Sequence, residues 1–103
     1  MRIILEGNQI KTERDFHNQI SKLLDFGEYY GNNLNALWDR LTTEQKPIFV
    51  VWKEHLLSKQ NLGEECFKNI VDLFEAVKQD DISFHLKFNN DKDPIDIFNY
   101  SLE

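Results

Sequence analysis

Three histidines (His17, His55, His85), one cysteine (Cys66) and scattered carboxylates are the side chains of this 103-residue sequence best suited to chemistry. Their spacing does not assemble a reaction centre. No H-E-x-x-H or C-x-x-C is present, and the histidines lie far apart, so no metal site is expected. No G-x-S-x-G, P-loop or G-x-G-x-x-G occurs, and the four glycines, Gly7, Gly27, Gly31 and Gly63, read as turn or cap positions. Carboxylates such as Glu28 and Asp39 could do acid–base work only beside a histidine, a metal or an apolar pocket, and the sequence assigns them none. The chain therefore reads as a non-enzyme with no cofactor. Cys66 reads as a buried small hydrophobe, and His17, next to Phe16 on a helix, as a histidine satisfied by a local hydrogen bond.

Recognition is the chemistry that remains. Between Tyr29 and Asp39, the leucines Leu34 and Leu37 face inward, which leaves Asn35 and Asp39 four residues apart on one helical face with Trp38 beside them. Tyrosine and tryptophan next to a charged group make up the composition of binding hot spots. The structural alternative is that Trp38 and both tyrosines plug the edge of the core, and this stretch alone supports the two equally.

Several elements must position that face. Arg2 to Leu5 reads as a short strand entering a turn at Gly7-Asn8. Thr12 is the expected N-cap of a helix whose stripe is Phe16, Ile20, Leu23 and Leu24 and which ends at Gly27. Asn32 or Asn33 caps the next helix, with Leu34, Leu37 and Leu41 inward, and Lys46-Pro47 stops it. Ile48 to Trp52 is a fully buried strand, His55 to Lys59 a short helix, and Asn61-Leu62-Gly63 a break. Phe67, Ile70, Val71, Phe74 and Val77 form the strongest helical stripe. Ile82, Phe84, Leu86 and Phe88 alternate with polar residues as a strand with one covered face. Strands separated by helices pair in parallel through right-handed crossovers, so the expected fold is a two-layer α/β domain, helices on one face. Residues 1–88 form that domain. Residues 89–103 are an extension, in which Pro94 at a first helical position precedes Ile95, Phe98 and Leu102 in a short amphipathic helix.

Composition sets the class. A chain of 103 residues, 41% hydrophobic and 13% aromatic, has room for one globular domain and no reason to be disordered. Its longest apolar run, Ile48 to Trp52, is far too short to span lipid, and a lone cysteine suits a reducing compartment, so a soluble cytoplasmic protein is expected. Eighteen acids against twelve Lys and Arg give a net charge of -6. That field repels nucleic acid and speeds encounter with cationic partners.

Tyr29-Tyr30-Gly31-Asn32-Asn33-Leu34-Asn35-Ala36-Leu37-Trp38-Asp39 resembles the signature loop and helix of the barstar family, intracellular inhibitors of barnase-type ribonucleases. The likeness extends more loosely to the first strand, to Asp15-Phe16-His17, to Trp52, and to the Phe74 helix and last strand. It implies a small three-stranded parallel sheet packed with helices, in agreement with the architecture read from periodicity. It further implies that Asp39 takes the place of a substrate phosphate in a nuclease cleft, with Tyr29, Gly31, Asn33, Asn35 and Trp38 as contacts and Glu75 assisting. The implied partner is a basic ribonuclease toxin, extracellular or contact-delivered, bound one to one, with the chain as its antitoxin or immunity protein.

The sequence also departs from that family pattern. Asn35 stands where an aspartate is usual, Arg40 replaces a cysteine, the additional acid of the fourth helix falls at Ala76 beside Glu75, and Thr42 to Lys46 lacks an aromatic. These departures imply a cognate nuclease other than barnase itself. A regulatory or scaffold domain that keeps the fold and binds a non-nuclease partner is the alternative.

Overall fold

The structure is a computed structural model that describes residues 1–43, 47–81 and 83–89. Three strands, β1 (Arg2–Glu6), β2 (Ile48–Lys53) and β3 (Phe84–Asn89), form one sheet in the order β1-β2-β3, with both pairs parallel. Because each crossover steps the same way along the sheet, right-handed connections put the intervening helices on one face. Those helices are α1 (Glu13–Leu23), α2 (Leu34–Thr43), α3 (His55–Leu62) and α4 (Glu64–Asp80). The result is the two-layer α/β architecture that the sequence predicts.

Register fixes what the sheet offers to each side. Ile3 lies opposite Val50, and Val50 opposite Leu86; one step along, Leu5, Trp52 and Phe88 share a row. These side chains meet Phe16, Ile20, Leu37, Leu41, Ile70, Phe74 and Val77 from the helices in one core. Central β2 is buried on both faces from Ile48 to Trp52, as its unbroken apolar run requires. Trp52 is the hub. Its ring stacks on Phe16 at 5.6 Å and meets Phe67 and Phe74 at 5.2 and 6.2 Å, while its Nε1–H donates to the Ser58 hydroxyl at 2.9 Å. Ser58 in turn donates to the Gly7 carbonyl, which ties α3 to the turn after β1. A Cβ at Gly7 would collide with the carbonyl oxygens of Lys53 and Glu54, so that close approach needs glycine.

Helix α1 begins as expected: Thr12 Oγ1 accepts from the Asp15 N–H, and the Asp15 carboxylate accepts from the backbone of Lys11 and Thr12. Those N–H bonds, led by that of Lys11, hold the Asp15 carboxyl below its usual range. The end of α1 differs from expectation. Phe26 N–H bonds back to Ser21 O at 2.9 Å and Asp25 adopts a left-handed φ of 55°, so the helix closes before Gly27. Leu23 is 44% exposed, because helical rotation puts it just outside the buried arc running from Phe16 through Ile20 and Leu24 to His17.

Helix α3 is longer than the sequence predicts. It runs through Asn61 and Leu62, and the break is Gly63 alone, whose φ of 90° ends α3 and opens α4. Cys66 is half-buried rather than buried, its Sγ lying 3.6 Å from Glu13 Oε1; burial, then the Glu13 charge, pushes the thiol pKa up. Val71 and Leu86 flank the core instead of filling it. The expected strand position of Ile82, the Glu44 to Lys46 part of the loop after α2, and the helix with Pro94, Ile95, Phe98 and Leu102 lie outside the described residues.

At the carboxyl end of the sheet, the His55 ring stacks on Phe88 at 4.5 Å. Burial lowers its pKa from 6.5, against a smaller opposing contribution from its bond with the Asn89 backbone. The neutral imidazole is favoured in the fold, so this contribution to stability is complete above about pH 6.5 and declines as pH falls toward the lower folded-state value. Urea midpoints measured from pH 8 to pH 5 should fall, and His55→Phe should flatten that part of the slope.

Candidate functional site

Asn33 starts α2 by using its side chain twice. Its Oδ1 accepts from the Ala36 N–H at 2.8 Å, and its Nδ2 donates to the Gly31 carbonyl at 3.1 Å, so the cap and the loop before it are one unit. Asn32 takes a left-handed φ of 52°, and of the two asparagines Asn33 is the cap. Leu37 and Leu41 then face the core, which turns Asn35, Trp38 and Asp39 outward. Beside Asp39 the loop and helix enclose a notch of about 160 Å³ lined by Phe26, Tyr29, Tyr30, Gly31, Ala36, Asp39 and Arg40.

The floor of that notch is pinned from below. Tyr30 is half-buried, its ring against Phe26 at 4.9 Å and its hydroxyl 2.7 Å from His17 Nδ1. His17 is fully buried, with Nε2 3.1 Å from Glu13 Oε2. A carboxylate can only accept, so a single proton on Nε2 satisfies the chain, with the Tyr30 hydroxyl donating to Nδ1. Burial, reinforced by the Glu13 charge, pushes the Tyr30 phenol pKa well up and keeps the donor proton in place. Tyr30→Phe would strand Nδ1 in the interior; a cost of about 1–3 kcal/mol is expected in the urea unfolding free energy. A change within a few tenths of a kcal/mol would mean that the loop is held by other contacts.

The two adjacent tyrosines thus divide the roles that the sequence left open. Tyr29 is 93% exposed and available to a partner, while Tyr30 belongs to the scaffold. Trp38, 36% exposed, stands between the two. Of the expected contacts, the notch gathers Tyr29, Gly31 and Asp39, with Asn33 joined to them through Gly31. Asn35 is exposed on α2 outside the notch, and Glu75 is exposed on α4, the helix that packs beside α2. Among the described residues the Asp39 carboxylate has no hydrogen bond or ion pair, and no cluster of metal-ligating side chains occurs.

An exposed carboxylate on the rim of a notch is a group that a cation could meet. A sequence profile described as "Barstar (barnase inhibitor)" matches residues 1–93. The chain belongs to the barstar family. It is also 38% identical over 63 residues, 60% of this chain and 69% of the relative, to a Bacillus subtilis (strain 168) protein named "Putative ribonuclease inhibitor YrdF". Membership of the barstar family accounts for the three-stranded parallel sheet and its four helices. No helix among the described residues is long and apolar enough to cross a membrane.

Sequence reasoning misses Phe26, Tyr30, Ala36 and Arg40 as parts of the notch. Phe26 follows the early closure of α1, and Arg40 folds its guanidinium over the Phe26 ring, 5.0 Å from the centroid. The four-residue spacing of Glu13 and His17 is the one signal for the pinning chain, since it puts both on one helical face. Nothing local announces that His17 meets a tyrosine thirteen residues away.

Proposed function

We propose that the protein is a one-to-one inhibitor of a ribonuclease, entering the active-site cleft with the Tyr29–Asn33 loop and α2 and presenting Asp39 where a substrate phosphate would sit. The observation that carries this reading is the exposed Asp39 carboxylate, which bonds nothing among the described residues, beside a notch pinned by Tyr30, His17 and Glu13. A ribonuclease must gather Arg, Lys and His to stabilise a phosphoryl transition state. A carboxylate on a rigid helix satisfies that cluster without offering a bond to cleave. Tyr29 and Trp38 supply aromatic area at the margins, and Gly31, Asn33 and Asn35 supply polar groups; Glu75 adds negative potential from the neighbouring helix.

The cognate enzyme in this reading is a basic ribonuclease toxin that reaches the cytoplasm from outside or by contact, and the protein is its antitoxin or immunity factor. Family membership and the inhibitor name of the Bacillus subtilis relative support the ribonuclease as target. Asn35 and Arg40, where the sequence departs from the family pattern, favour a nuclease other than barnase. The net charge of -6 makes encounter electrostatically steered. Stopped-flow mixing with the cognate ribonuclease should therefore show an association rate that falls about tenfold or more from low to moderate salt, with a dissociation rate that changes little. An association rate indifferent to salt would contradict the charge-led docking.

A further inference from the structure

The hydrogen-bonded chain under the notch has an outer end away from the recognition face. Glu13 opens α1 and lies outside the notch, in the wall of a separate hollow of about 430 Å³ that it shares with Leu62, Cys66 and Asn69. Its carboxylate is held at both oxygens. Oε2 is 3.1 Å from His17 Nε2, one helical turn on, and Oε1 accepts from the Cys66 thiol of α4 at 3.6 Å. The two partners on α1 differ in their surroundings, the imidazole 1% exposed and the carboxylate 44%. Glu13 thus reaches from the surface to one nitrogen of a buried ring.

That reach decides a choice which the ring alone leaves open. A neutral imidazole donates from one nitrogen and accepts at the other, and a phenol hydroxyl suits either. A carboxylate that only accepts removes the freedom: the proton sits on Nε2, and Nδ1 receives the Tyr30 hydroxyl at 2.7 Å. Gly31, next in sequence, takes the Asn33 side chain that caps α2, and Asn33 in turn holds the N–H groups of Ala36 and Leu37. One acid on α1 is therefore the first member of a series that ends in the first turn of the helix carrying Asp39.

We propose that Glu13 is a positioning residue for the recognition loop: from outside the docking face it fixes the His17 tautomer, and through Tyr30 it keeps the Tyr29–Asn33 loop and the first turn of α2 in one arrangement before a partner arrives. The docking role of that loop rests on the ribonuclease reading, whereas its positioning by Glu13 is a property of the free protein. The plainer role for Glu13 is that of an acid favoured by the dipole at the start of α1. The two roles differ in what they require of the side chain. A dipole needs its charge, and His17 needs only an oxygen that accepts.

Nitrogen-15 spectra of the His17 ring in the free full chain, at a pH above the ordinary histidine value, give the first readout. The expected result is a proton on Nε2 and a bare Nδ1; a proton on Nδ1, alone or in addition, would overturn the proposal. Amide hydrogen exchange gives the second. In Glu13→Ala the Ala36 and Leu37 N–H groups should exchange roughly two- to tenfold faster than in wild type, the worth of one hydrogen bond, while Leu24 at the far end of α1 keeps its rate. Glu13→Gln loses the charge but keeps an accepting oxygen, so it should restore wild-type rates at both positions. Equal acceleration in the two variants would reduce Glu13 to a charge at a helix end, and wild-type rates in Glu13→Ala would remove it from the loop altogether; either result overturns the proposal. The ring spectrum of the wild-type chain is decisive even if a variant does not fold. Should these results hold while no ribonuclease is inhibited, the docking reading fails and the positioning by Glu13 stands.

Discussion

Asp39→Ala is expected to weaken the complex with the cognate ribonuclease by about 2–5 kcal/mol, roughly thirtyfold to a few thousandfold in Kd, with little change in the stability of the free protein. The size follows from what the substitution leaves behind. In the proposed complex the nuclease's cations would give up water to meet the carboxylate, and removing it would strand them desolvated in a closed interface. The stability of the free protein is spared because Asp39 is exposed and its carboxylate bonds nothing among the described residues. Asp39→Asn separates charge from shape: it keeps a hydrogen-bonding oxygen and loses the ionic attraction, so it should fall between wild type and alanine. Calorimetric titration of the three proteins against one nuclease measures this. Equal affinities for wild type and Asp39→Ala would move the interface elsewhere.

The second large effect is on the fold itself. Trp52→Ala should cost about 3–5 kcal/mol, against a total stability of about 5–15 kcal/mol for a domain of this length. The ring is fully buried, contacts Phe16, Phe67, Phe74 and Phe88, and donates to Ser58, so its removal opens a cavity where β2, α1, α3 and α4 converge. Trp52→Phe keeps most of the volume and loses the indole N–H, which should cost about 1–2 kcal/mol, mainly by leaving Ser58 short of a partner. Urea unfolding followed by far-ultraviolet circular dichroism gives both numbers. A loss under about 1 kcal/mol for the alanine variant would show that the core closes over the gap.

Regular burial is what makes parts of this molecule legible in its sequence. The stripe of Phe67, Ile70, Phe74 and Val77 in α4 stands out because the core covers it at fixed intervals, whereas β3 shows its period of two in residue type, with Phe84 buried and Leu86 and Phe88 only packed against the core. The unbroken run of β2 stands out because a central parallel strand is covered on both sides. Periodicity has nothing to say about Tyr29 and Tyr30, which are consecutive residues of a loop, and only the contact with His17 separates surface from scaffold. The end of α1 escapes the sequence because Asp25 rather than a glycine takes the left-handed position. Helix α3 outruns its expected length because Ser58, buried by its bonds to Trp52 and Gly7, anchors a segment with little apolar pattern of its own. Asp39 is singled out by its helical face and by the family resemblance together, while the notch beside it depends on Phe26 and Arg40, which meet across the fold.

The most direct measurement is an activity titration: increasing amounts of the purified protein added to a fixed amount of a barnase-type ribonuclease, and of any ribonuclease encoded beside its gene, with RNA cleavage as the readout. Inhibition of a ribonuclease through Asp39 predicts a linear fall in cleavage that reaches its floor at one equivalent for the cognate enzyme, and a shallow or absent fall with Asp39→Ala. Undiminished cleavage of RNA by every ribonuclease tested, at several equivalents of folded protein, would contradict that role and leave the fold serving a partner of another kind.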